Sequence, residues 1–228
     1  EVRNTFLDGA RLDGCDLSGA RMIENDMGGL DLTKAILRRV TFAHSSLAGA
    51  KLAGSDLSTC DLSDANLSDA DLEAAVLTGA TANGVRFAGA TLRQARMSGI
   101  LAPNSDFRRA ILDRADLTGA TLHSAHFEKA SAASSDFSRA SLREASLADA
   151  DLSGALFADA NLSYADLSRA KIGGAEFAGA RLEWAVLHRV EEPSARWQGT
   201  SLENVRRTDE DLRVAETWKP GEAPAWKS

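Results

Sequence analysis

The chain has 228 residues, 44% of them hydrophobic, and a formal net charge of −7 at pH 7. This length suits one domain, and no apolar run approaches the length of a membrane-spanning segment. We expect neither a membrane nor a nucleic acid as a direct partner.

A period of five residues runs through the chain without a break in phase. A large apolar residue recurs at every fifth position from Leu7 to Leu202, with few exceptions, and a small residue, mostly alanine, lies two positions before it. A period of five fits neither the 3.6-residue period of an α-helix nor the two-residue period of a strand. Each unit must therefore contain a short extended piece and a turn. The pattern predicts a solenoid in which the large and small residues point inward and the other three positions face water.

Several units carry Asp or Asn between the small and the large residue. They are Ala65-Asn66-Leu67, Ala70-Asp71-Leu72, Ala115-Asp116-Leu117, Ala150-Asp151-Leu152, Ala160-Asn161-Leu162 and Ala165-Asp166-Leu167. This pattern resembles the pentapeptide-repeat family, and the resemblance covers Val2 to Leu202. It implies an all-β fold, a right-handed quadrilateral β-helix with four pentapeptides per coil. We expect this β-solenoid to have about ten coils, stacked at the usual strand spacing, and to occupy residues 1–205.

The repeat also predicts how the corners and the core are built. Glycine recurs two positions after the central residue, as at Gly9, Gly49 and Gly119, which indicates a corner with positive φ. Two sets of aromatic residues recur at intervals of twenty and should stack as core ladders. One set is Phe87, Phe107 and Phe127, and the other is Phe137, Phe157, Phe177 and Trp197. Ala132 lies between Phe127 and Phe137, so a large neighbour should fill the volume that it leaves.

The two ends of the chain carry different signals. Glu192 and Pro193 interrupt the central series, and Thr208 begins a capping-box pattern. We predict a short helix over residues 209–218, within a C-terminal helical cap and tail at 206–228. The chain begins at Glu1 without Met and is already in phase, so its first β-edge would be open. We therefore expect either one domain of a longer chain or a chain with residues before Glu1.

No constellation of catalytic or metal-binding residues is recognisable in the sequence. Cys15 and Cys60 take the small inward position in different columns, too far apart for a disulfide. They are expected to be reduced, which favours a cytoplasmic protein. The histidines are His44, His123, His126 and His188. All four are expected to face outward, so we predict no enzyme activity, no metal and no cofactor.

Two surface features are candidate partner-binding sites. The first is an acidic belt within a stretch that has no Lys or Arg between Lys51 and Arg86, and a basic band from Arg86 to Arg114 follows it. The acidic belt consists of Asp56, Asp61, Asp64, Asp69, Asp71 and Glu73. The second feature is the pair Tyr164 and Trp184, twenty residues apart and therefore stacked in one outward column. Stacked exposed aromatic residues indicate a covered surface, and the cover is either a partner or the C-terminal helix and tail of the same chain.

Two functional interpretations follow from the resemblance. The first is a bacterial protein–protein interaction or scaffold module, such as part of a secretion-associated adaptor or effector. The second is the DNA-mimicking branch of the family, which binds DNA gyrase and protects against quinolones or topoisomerase poisons. That branch relies on a broadly acidic surface and on C-terminal dimerisation, so a homodimer through the C-terminal end is a further expectation. The charges here are mostly balanced outside the acidic belt, which favours the scaffold.

Overall fold

The computed structural model describes residues 1–7 and 9–208 and forms a parallel β-helix. Strand β1 (Val2–Arg3) pairs with β2 (Met22–Ile23), and β3 (Val186–Leu187) pairs with β4 (Arg206–Arg207). Between these strands, isolated parallel bridges join residues twenty apart. One coil is therefore twenty residues, or four pentapeptides, as the resemblance to the family implies. Within the described ranges no helix is long and apolar enough to cross a membrane.

Each pentapeptide combines a ladder contact with a tight turn. In the unit around Leu62, the Leu62 N–H donates to the carbonyl of Thr81 at 2.7 Å, and the Thr81 N–H donates to the carbonyl of Cys60 at 2.9 Å. The turn closes where the Ala65 N–H donates to the Leu62 carbonyl at 2.9 Å. Because the ladder and the turn recur along the rod, the backbone polar groups are satisfied while the central side chains point inward.

Positive φ recurs at the corner of almost every pentapeptide. Glycine takes this conformation at the positions predicted from the sequence, with φ of +65° at Gly49 and Gly119. The same corner also holds many non-glycine residues, including Ala74 at 55° and Arg109 at 59°. The stacking of coils therefore imposes the left-handed conformation even where a side chain makes it costly.

The core consists of the large central residues of the pentapeptides, with the small residues, mostly alanines, packed between them. Every central residue from Met22 to Leu187 is buried. The two aromatic ladders form, with ring centroids 4.7 Å apart for Phe107 and Phe127 and 4.8 Å apart for Phe157 and Phe177. They meet where Phe127 packs edge-on against Phe137 at 6.0 Å, on either side of Ala132 in the sequence. The two predicted ladders are confirmed, and the filling of the volume beside Ala132 stays a prediction.

Parallel pairing continues close to the C-terminal end of the described residues. The register continues through Pro193, whose carbonyl accepts the Gly174 N–H at 2.8 Å, because proline lacks an N–H donor but keeps its carbonyl. The last pairing is that of β4 at Arg206–Arg207. The helix predicted over 209–218 lies outside the described residues.

Candidate partner-binding surface

The aspartates that precede the central residue have a structural task. Asp61 Oδ1 accepts the backbone N–H of Ser63 at 3.0 Å, and Asp71 Oδ1 accepts that of Glu73 at 3.2 Å. The same contact recurs at Asp116, where the Thr118 N–H donates at 2.9 Å. These carboxylates stabilise the turns, which explains why Asp and Asn recur at this position in the repeat.

Asp56 and Asp64 are already close to basic side chains of the preceding coil. Asp56 Oδ2 accepts a hydrogen bond from Arg38 Nε at 2.7 Å, and hydrogen bonding from Ser58, reinforced by Arg38, lowers the pKa of Asp56. Asp64 Oδ2 lies 3.6 Å from His44 Nδ1. Arg38, which lies outside the stretch between Lys51 and Arg86, therefore balances the charge of Asp56.

Asp64 and Asp69 lie over the glycine corners of the following coil. A Cβ built on Gly84 would come within 2.6 Å of Asp64 Oδ1, and one on Gly89 would meet Asp69 Oδ1 in the same way. A side chain at either glycine would have to displace the carboxylate. Glycine at these two positions therefore lets the acidic belt pack against the next coil.

The acidic belt does not converge on one face. Its members lie on four consecutive pentapeptides, which together make one coil, so they ring the rod. Glu73 lines a groove of about 350 Å³ together with Arg93 and Asp113, and Arg93 Nε is 3.6 Å from Asp113 Oδ2. The acidic belt thus gives way directly to the basic band within a single groove.

Tyr164 and Trp184 stack as the sequence predicts. Their ring centroids are 6.4 Å apart and their planes differ by 4°, and the side chains remain 51% and 50% exposed. The guanidinium carbon of Arg143 lies 5.3 Å from the Tyr164 centroid. This cation–π contact was missed in the sequence reading, although the 21-residue spacing of Arg143 and Tyr164 places them in adjoining coils.

A fixed carboxylate accompanies the aromatic pair. Glu183 Oε2 accepts the Ser163 hydroxyl at 2.7 Å, and Glu183 Oε1 lies 3.3 Å from Arg181 Nε. Hydrogen bonding, above all from Ser163, lowers the pKa of Glu183 to about 2. Glu183 therefore keeps its negative charge beside Trp184 throughout the neutral and mildly acidic range.

The buried cysteine and serine side chains have a structural role, because they donate hydrogen bonds to backbone carbonyls. The Cys60 thiol donates to the Leu37 carbonyl at 3.0 Å, and burial raises its pKa to about 11. The Ser135 hydroxyl donates to the Leu112 carbonyl at 2.6 Å. No set of three or more His, Cys, Asp or Glu in the described part of the chain could hold a metal ion.

His188 corrects one expectation from the sequence. It occupies an outward position, yet it is only 8% exposed. Ala148 and Ser168, which precede it in the same column, are 9% and 7% exposed. An outward position in the repeat therefore does not guarantee contact with solvent on this strip.

Comparison with known proteins agrees with the architecture. The family model for pentapeptide repeats matches in eight copies, over residues 3–39, 26–64, 35–73, 60–99, 104–133 and 135–174. The chain is similar to the crystal structure of HetL, a pentapeptide repeat protein involved in heterocyst differentiation regulation from the cyanobacterium Nostoc sp. strain PCC 7120. The two share 28% identity and a TM-score of 0.84, over 86% of this chain and 88% of HetL.

A second solved structure is more distant. A trypsin-treated variant of QnrB1, a plasmid-mediated fluoroquinolone resistance protein, shares 17% identity and a TM-score of 0.54, over 86% of this chain and 92% of that one. At this identity the likeness concerns the fold alone. No curated protein matches the chain at a significant level.

Proposed function

Because the chain belongs to the pentapeptide-repeat family, we propose that it is a non-catalytic protein-binding rod that presents a rigid surface to another protein. The observation that carries the proposal is the outward stack of Tyr164 and Trp184, each about half exposed. Trp and Tyr are among the side chains that most often anchor protein interfaces. The regularity of the coils below them fixes their geometry before binding, which lowers the entropy cost of association.

The acidic belt supplies a second contact. Asp61, Asp64, Asp69, Asp71 and Glu73 remain at least partly exposed, although Asp61 and Asp71 also accept turn hydrogen bonds. A basic partner would be attracted to this potential, and salt would weaken the attraction. Because the acidic belt rings the rod, we assign it to steering and the aromatic pair to anchoring.

The comparison with HetL supports a regulatory use of the rod. HetL is involved in heterocyst differentiation regulation, and it matches this chain over most of both lengths. Both cysteines of the chain are free, which supports a cytoplasmic setting for this role.

Gyrase binding by DNA mimicry is the second candidate. It is favoured by the fold likeness to QnrB1 and by the acidic belt. Against it, Arg38 pairs with Asp56, and Arg93 lies in the same groove as Glu73. A DNA-like surface needs negative charge that continues along the rod, and here a basic band interrupts it.

A pull-down with defined variants tests the proposal. The bait is the full chain, compared with a Tyr164→Gly/Trp184→Gly double variant and with Phe6→Ala, which removes a ring that is 83% exposed elsewhere on the rod. We expect a discrete set of proteins to be retained by the wild type and by Phe6→Ala but lost by the double variant. Recovery of the same proteins by all three baits would overturn the proposal.

Two further measurements separate the alternatives. Binding of purified gyrase to the wild type would promote the second candidate. Mass in solution would reveal a homodimer, and its loss in the double variant would assign the aromatic pair to self-association.

A further inference from the structure

Arg143, Tyr164 and Trp184 form a ladder of stacked side chains that has a cation at the Tyr164 end. The cation of Arg143 lies over Tyr164, and the Tyr164 ring lies parallel to Trp184. In the described part of the chain, Tyr164 is the only ring or cation partner of Trp184. The next corner residue is Asn204, whose side-chain amide donates to Glu203 at 3.4 Å. Among the described residues, no cation is therefore in contact with Trp184, the best cation acceptor in the ladder.

The charges around this end favour a cation. Glu183 is negative beside Trp184, although Arg181 partly balances it. Glu203, one coil further on, contacts the neutral amide of Asn204 and has no ion pair among the described residues. An incoming positive group over Trp184 would therefore meet a carboxylate as well as a π face.

We propose that the outer face of Trp184, together with Glu203, binds an arginine or lysine side chain of the partner protein. This inference rests on the proposed protein-binding function and specifies the chemistry of the partner segment. An arginine would stack its planar guanidinium on the indole and complete a second cation–π contact at the opposite end from Arg143.

The test uses two short Gly-Ser peptides that differ only in arginine or its neutral isostere citrulline. Binding is followed through the indole N–H resonance of Trp184 in the full chain, assigned by its absence from Trp184→Gly. We expect the arginine peptide to shift this resonance and to bind about tenfold more tightly than the citrulline peptide. Glu203→Gln should weaken arginine binding several-fold, whereas Phe6→Ala should leave it unchanged.

Several results would overturn the inference. Equal binding of the two peptides would remove the role of charge, and arginine binding that survives in Trp184→Gly would place the site elsewhere. A dimer that dissociates in Trp184→Gly but is not displaced by the arginine peptide would make a second copy the occupant. If the pull-down still depends on Tyr164 and Trp184 while the arginine peptide fails, the inference is wrong but the proposed function stands.

Discussion

At the scale of single residues, the fold imposes a positive φ at the corners, whereas most side chains favour a negative φ. Ala74 and Ala75 are adjacent alanines with opposite roles. Ala74 is exposed with φ of 55°, whereas Ala75 is fully buried at the small inward position. The two positions therefore form a matched pair for the same substitution.

We expect Ala74→Gly to stabilise the protein by about 0.5–1 kcal/mol, because the relief of left-handed strain outweighs the freedom that glycine gains in the unfolded chain. Ala75→Gly should destabilise it by about 1 kcal/mol, since it removes a buried methyl group and adds only flexibility. Denaturant midpoints of both variants check the pair. Equal shifts in the same direction would show that corner strain does not contribute to stability.

Glu183 gives a prediction about pH. Its pKa is lowered from 4.5 to about 2 by hydrogen bonds from Ser163 and from groups around it. A lowered pKa in the folded state contributes stability that is present above the unfolded value and is lost as the pH falls towards the folded value.

Glu183→Gln should therefore lower the melting temperature by a constant amount from pH 7 down to about 5. The difference from the wild type should then shrink between pH 4.5 and about 2, where the native carboxylate loses its advantage. Thermal melts at several pH values measure this difference. A gap that is unchanged at the acidic end of this range would mean that Glu183 acts through packing rather than charge.

At the scale of elements, the aromatic ladders connect neighbouring coils. Phe127 is the residue at which the ladder crosses from one face to another, and its ring centroid lies 4.7 Å from that of Phe107 and 6.0 Å from that of Phe137. Phe42 is equally buried but has no aromatic partner among the described residues. The pair isolates the contribution of ring–ring contacts from that of simple burial.

Phe127→Ala should cost about 3–5 kcal/mol, because Ala132 cannot fill the cavity. Phe42→Ala should cost less by about 1 kcal/mol, since its ring makes no aromatic pair. Free energies of unfolding from denaturant titration compare the two variants. A larger loss for Phe42→Ala would contradict the role of the ladder.

The columns were predictable because the resemblance to the pentapeptide-repeat family implies four pentapeptides per coil, which brings residues twenty apart into contact. This rule correctly placed the Phe ladders and the stack of Tyr164 on Trp184. It could not predict which neighbours a long side chain contacts. The pairing of Arg38 with Asp56 and the contact of Arg143 with Tyr164 were therefore found only in the structure. The burial of His188 was missed for a related reason. The repeat predicts whether a side chain points inward or outward, but it does not predict how much of an outward side chain is exposed.

At the scale of the whole molecule, each coil contacts only its neighbours. A disruptive substitution in a central coil should therefore unfold that coil and separate the two halves of the rod. Leu117 is fully buried in the middle of the solenoid, between Met97 and Phe137 in its column. Leu101, in a nearby coil, is 46% exposed at an outward position. The same substitution at these two leucines distinguishes the inside of the rod from its surface.

Leu117→Arg should unfold the central coils, because it buries a charge with no partner among apolar neighbours. Leu101→Arg should keep the fold, since the arginine can extend into solvent from an outward position. Far-UV circular dichroism and limited trypsin digestion check both variants, with new cleavage expected near the middle of the chain only for Leu117→Arg. Intact coils in that variant would mean that the inward column is not the continuous core on which the rigidity of the rod, and hence its use as a binding surface, depends.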